Sequence, residues 1–72
     1  MTYQALFERA SDGTIWGRVP ELDGAFGSGD SLEEARASLE EAARLWIEEA
    51  RRDGAPVPPP STLAVLSITV AA

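Results

Sequence analysis

Gly27-Ser28-Gly29-Asp30-Ser31-Leu32-Glu33-Glu34-Ala35 decides how this chain folds, because the spacing of apolar residues changes across it from two to between three and four. Ser31 with Glu34 three residues on reads as a capping box. The Ser oxygen and the Glu carboxylate each take a backbone N–H that the first helical turn leaves without a partner. From Leu32 to Asp53, the residues Leu32, Ala35, Leu39, Ala42, Ala43, Trp46 and Ala50 then recur as one apolar stripe. The opposite face is charged. Glu40 with Arg44 and Glu48 with Arg52 stand four apart in the favourable order, Glu33 and Glu34 lie at the positive end of the helix, and Arg51 and Arg52 near its negative end. Gly54 is placed to end the helix in a left-handed conformation.

Upstream of the helix the pattern is that of strands. Thr2 to Glu8 alternates, with Tyr3, Ala5 and Phe7 on one face and Gln4, Leu6 and Glu8 on the other. Ser11-Asp12-Gly13 supplies turn chemistry, and a second strand follows from Thr14 to Val19, closed by Pro20, which has no N–H to give to a ladder. Glu21-Leu22-Asp23-Gly24 reads as a loop. Ala25 to Gly29 forms a short third strand whose glycines make it weak on propensity alone.

Downstream, Pro56, Pro58, Pro59 and Pro60 exclude a helix and suit a polyproline II path back along α-helical surface. Leu63 to Val70 puts Ala64, Leu66, Ile68 and Val70 on one face and Leu63, Val65, Ser67 and Thr69 on the other, the pattern of a strand apolar on both sides. The expected fold is therefore α+β, a single domain over residues 1–72 in the order β-β-β-α-β: an antiparallel sheet with one helix packed on one face. Its other face has no cover. Leu6, Trp16, Leu63 and Val65 fall there by alternation and are the candidate dimer interface; the alternative is that Trp16 is an ordinary surface hydrophobe or folds into the core.

Composition sharpens this expectation. The chain of 72 residues carries twelve acidic and six basic side chains for a net charge of −6. All six basic residues are Arg, and there is no Lys, His or Cys. The commonest general base, the thiol nucleophile, the Schiff-base amine and the soft metal ligands are thus missing together. Disulfides and a zinc site are also missing as staples, while each ordered residue costs ~1.5 kcal/mol. Oligomerisation is the remaining common remedy, so a homodimer is expected. No stretch has the length of a signal peptide or a membrane span, and a soluble, cytoplasmic protein is the default expectation.

Motifs of catalysis or ligand binding are weak. Glu33/Glu34, Glu40/Glu41 and Glu48/Glu49 read as a solvated helix face rather than paired acid and base. Asp23 to Glu34 has the acids of a calcium loop at its first and twelfth positions but Ala25, Gly27 and Ser28 at the third, fifth and sixth. Gly27-Ser28-Gly29 lacks the spacing of a phosphate loop, and Asp30, Glu33 and Glu34 would repel an anion there. No cofactor and no metal are expected. Direct nucleic-acid binding is disfavoured because the largest basic patch is Arg51-Arg52, whereas a basic protein partner would meet an acidic domain favourably.

Taken in order, Tyr3-x-Ala5-x-Phe7-Glu8, Asp12-Gly13, Val19-Pro20-Glu21-Leu22-Asp23-Gly24, Gly27-x-Gly29-Asp30-Ser31-x-Glu33-Glu34-Ala35 and Gly54 with Pro56, Pro58 and Pro60 resemble the HicB-like antitoxin family. The loop Val19 to Gly24 and the helix start Gly29 to Ala35 are its most specific parts. The resemblance implies a partial ribonuclease-H-like domain without catalysis, which binds a small basic HicA-type RNA-cleaving toxin and masks its catalytic surface. It also implies association as dimers or larger oligomers. Many family members carry a C-terminal DNA-binding domain that represses their own operon; no such segment is present up to Ala72, and Ala25 stands where members often have Cys.

The acids Glu21, Asp23, Asp30, Glu33 and Glu34 are the candidate partner surface. The alternative is that Glu33 and Glu34 only cap the helix and complement its dipole. A dimeric scaffold or regulatory module with no toxin is the second functional reading.

Overall fold

In the computed structural model, residues 1–71 are described; Ala72, the last residue of the expected domain, lies outside them. The helix α1 spans Leu32–Arg52, and both ends close as the sequence indicates. The Ser31 hydroxyl accepts the Glu34 N–H at 3.1 Å. The Glu34 carboxylate reaches back to the N–H of Asp30, one residue further out than a standard capping box, at 3.2 Å. At the other end Gly54, at φ +69°, closes a Schellman turn: its N–H meets the Arg51 carbonyl, and the Ala55 N–H meets that of Ala50 at 2.8 Å.

Three short strands precede the helix: β1 at Leu6–Arg9, β2 at Ile15–Arg18 and β3 at Phe26–Gly29. They form one antiparallel sheet in the order β1-β2-β3. β1 and β2 are joined by a three-residue hairpin loop in which Gly13 takes φ +91° and the Asp12 carboxylate accepts the Thr14 N–H at 2.9 Å. That bond holds the Asp12 carboxyl below its ordinary pKa.

Registration sorts the side chains. Leu6 opposes Arg18 and Arg18 opposes Phe26, while Phe7 opposes Gly17 and Gly17 opposes Gly27. The second row faces the helix. A Cβ at Gly27 would fall on the backbone of Leu39, and one at Gly29 would lie 2.7 Å from the Ala35 nitrogen. The glycines that weaken β3 as a strand are therefore what lets α1 press against it. The core beneath is built from Val19, Leu22, Ala25 and Leu39, with Tyr3, Ala5, Phe7, Ala43, Trp46 and Ile47 packed around it.

Two expectations are corrected. The segment Leu63–Val70 forms no strand: it runs extended and exposed, with Leu63 95% and Ile68 84% accessible. A strand needs a ladder partner, and this segment makes no backbone hydrogen bond to its own sheet among the described residues. The helix ion pairs also differ. Arg44 pairs with Glu41 at 2.5 Å and with Glu48, and Arg36 rather than Arg44 takes Glu40, at 3.3 Å. One guanidinium offers five donors, so Arg44 bridges the acids on either side of it. Its bonds hold Glu41 below, and Arg44 above, their ordinary pKa values.

Candidate functional site

The loop Val19 to Gly24 is a structural joint. The Leu22 N–H meets the Val19 carbonyl at 3.0 Å, and the Ala25 N–H meets that of Leu22 at 3.1 Å. Gly24 supplies the φ of +89° that the second of these turns needs at its third position. These two turns push Leu22 inward, where it is 1% exposed and the most deeply buried large side chain. The carbonyl of Asp23 accepts the indole N–H of Trp46 at 2.9 Å and ties the loop to α1.

Glu21 points the other way, to the tail. Its carboxylate accepts the N–H of Ser61 at 2.8 Å, the N–H of Thr62 at 3.2 Å and the Thr62 hydroxyl at 3.2 Å. The bond from Ser61 is the main cause of a Glu21 pKa below the ordinary value. A second tie is the Tyr3 hydroxyl donating to the Pro58 carbonyl at 2.5 Å. Together they fix the path of the proline segment across the sheet end where β1 begins and β2 finishes.

The candidate partner acids do not form one patch. Glu21 and Asp23 precede β3, whereas Asp30, Glu33 and Glu34 follow it, at the opposite end of a strand about 13 Å long. Glu21 and Glu34 are occupied by the hydrogen bonds described above. Asp23, Asp30 and Glu33 are exposed and make no ion pair among the described residues.

Of the candidate interface residues, the structure brings Leu6 and Trp16 onto the sheet face away from the helix and adds Phe26, which the sequence reading did not assign to that face. The signal was present in the alternation of Phe26 with Gly27, once Gly27 is placed against α1. Trp16 is 48% and Phe26 56% exposed, and with Leu6, Glu8 and Arg18 they line a shallow hollow of about 430 Å³. Leu63 and Val65 do not join them; both lie in the extended tail.

A second groove, about 420 Å³, opens between the outer side of β1 and α1, lined by Ala5, Phe7, Val19, Leu39, Ala43 and Ile47 with Arg36, Glu40 and Arg44 at its helix margin. Among the described residues no group of three or more acidic side chains is placed to hold a metal ion. No described helix is long and apolar enough to cross a membrane.

Comparison with known proteins agrees with this geometry. UPF0150 protein ssl0738 of Synechocystis sp. (strain ATCC 27184 / PCC 6803 / Kazusa) is 45% identical over 49 residues, 68% of each chain. UPF0150 protein ssr1765 of the same organism is 38% identical over 56 residues, covering 78% of this chain and 71% of the relative. Among solved structures, a chain of a HicA3 and HicB3 toxin-antitoxin complex superposes with a TM-score of 0.66 at 29% identity, over 81% of this chain and 69% of that one. The profile of the HicB_like antitoxin of bacterial toxin-antitoxin systems matches residues 3–70, from Tyr3 ahead of β1 to Val70 in the tail, and the chain belongs to that family.

Proposed function

We propose that this chain is a non-catalytic antitoxin that binds a small basic HicA-type RNA-cleaving toxin and occludes its catalytic surface. The observation that carries this reading is the likeness of 81% of the chain to a chain of a HicA3 and HicB3 complex. Charge supports it. A net charge of −6, with Asp30 and Glu33 exposed at the helix start, would attract a basic partner and speed its docking. In this reading the protein works in the cytoplasm, where an RNA-cleaving toxin finds its substrate, and contacts no nucleic acid itself.

Homodimerisation belongs to the same proposal. Leu6, Trp16 and Phe26 present an apolar face on a chain too small to cover it, and a second copy would bury that face. The same surface favours the alternative of a dimeric scaffold with no toxin.

Co-expression separates the readings. A short basic reading frame found beside this gene, expressed alone, should arrest growth and cleave RNA, and co-expression of this chain should restore growth and co-purify the two. A toxic neighbour that this chain neither binds nor silences would overturn the antitoxin reading.

A further inference from the structure

The sheet face away from the helix carries two rows of side chains. Register sets Leu6, Arg18 and Phe26 across one row and Glu8, Trp16 and Ser28 across the next. Trp16, Arg18 and Phe26 are exposed, and Trp and Arg are among the side chains that most often anchor protein–protein contacts. Glu8 and Arg18 are the two charges of these rows, and neither makes an ion pair among the described residues. Arg9 also borders the hollow, but by register it belongs with Ile15, whose row is turned to the helix and buried. The face is therefore neutral on a chain of net charge −6.

That neutrality selects the occupant. A basic partner finds no surplus of acid here, whereas two copies that repel one another elsewhere meet across this face without a charge penalty. Facing sheets stack ~10 Å apart with their strands nearly aligned, and a two-fold axis between two identical faces runs either along the strands or across them. An axis along β2 sets Arg18 on the Arg18 of the other copy, like charge on like. An axis across the strands, between the two rows, instead brings each Arg18 over the other copy's Trp16 and beside its Glu8.

We propose that this face is where two copies of the chain meet, with β2 antiparallel over β2, each Arg18 guanidinium lying on the other copy's Trp16 indole and paired with its Glu8. This rests on the homodimer reading above and specifies its geometry. Leu6 and Phe26 flank Arg18 in its row, so the incoming Trp16 ring seats between them and all three hydrophobes gain cover. Three strands ~4.8 Å apart and about 13 Å long make a patch smaller than the ~800 Å² per partner of a standard interface, so this dimer dissociates on dilution.

Sedimentation equilibrium of the full chain from ~1 µM to ~1 mM should show a monomer–dimer equilibrium. Glu8→Arg and Arg18→Glu, each alone, should weaken self-association at least about tenfold by setting like charges together. Helix content should be unchanged, because both side chains are exposed. Mixing the two variants should restore association, since the mixed dimer regains an Arg–Glu pair at both crossings, and only contact between copies gives this rescue. A wild-type chain that stays monomeric throughout overturns the geometry and the homodimer together. A dimer that neither variant weakens, or weakened variants that mixing does not rescue, overturns the geometry and leaves the homodimer standing. Variants that lose a basic toxin while self-associating as before give the face to the toxin and overturn the proposal.

Discussion

The carboxylate of Glu21 accepts the backbone N–H of Ser61, forty positions away in sequence, at 2.8 Å, and so joins the β2–β3 loop to the tail. A residue that looks like part of an acidic surface is instead the clasp that sets where the proline segment ends and the apolar tail begins.

This clasp depends on ionisation. The Glu21 pKa is lowered in the folded chain, chiefly by the Ser61 N–H, so the clasp's stabilisation is fully present above the ordinary Glu value of 4.5 and is lost as pH falls through the lower folded value. Amide exchange at Ser61 and Thr62 should therefore accelerate on acidification below pH 4.5, beyond its intrinsic pH dependence. Glu21→Gln should remove that acid-dependent step. Equal protection of both amides across this range would contradict the assignment.

Gly27→Ala should destabilise the fold severely, by about 3 kcal/mol or more, because the added Cβ meets the backbone of Leu39 and not a side chain that can turn away. Gly13→Ala is the contrasting case. Its Cβ would meet nothing within 4 Å, so only the φ of +91° penalises it, by about 1–2 kcal/mol. Urea unfolding of the two variants, compared at the same protein concentration, checks the ranking.

Leu22→Ala should cost about 2–5 kcal/mol, the range for a fully buried Leu. Since Asp23 beside it holds the Trp46 indole, the same substitution should also change Trp46 fluorescence before global unfolding. A variant with wild-type stability would mean that Leu22 is a surface loop residue after all.

Asp30→Asn with Glu33→Gln removes two exposed charges that make no ion pair among the described residues. If a basic toxin is steered by this end of the helix, its association rate should fall several-fold at low salt and the difference should shrink as salt is added, since exposed charges are screened over about 10 Å at 0.1 M. Stopped-flow binding reads both effects, and thermal unfolding should show little change.

Much of the body was legible because its signals are local. Ser31, Glu34 and Gly54 act within a turn of themselves, so the helix limits followed from neighbours in sequence. The hairpin at Ser11 to Gly13 is likewise local chemistry. The ion pairs were harder to read, because Glu40, Glu41 and Glu48 all lie within reach of one Arg44 and the choice depends on side-chain geometry. The candidate site was legible only in part. Leu6 and Trp16 share a face by alternation, but Glu21 and Asp23 look adjacent to Asp30 and Glu33 in sequence while β3 separates them in space.

By itself the sequence determined where the chain turns, where the helix starts and stops, and which residues of each strand share a face, since these depend on contacts a few residues apart. Only the tertiary structure decided that the glycines of β3 are a docking surface for α1, that Leu22 is core and that Glu21 is a clasp. It also decided the fate of Leu63 to Val70: alternation can make a segment competent to be a strand, but a strand exists only where another edge supplies its hydrogen bonds.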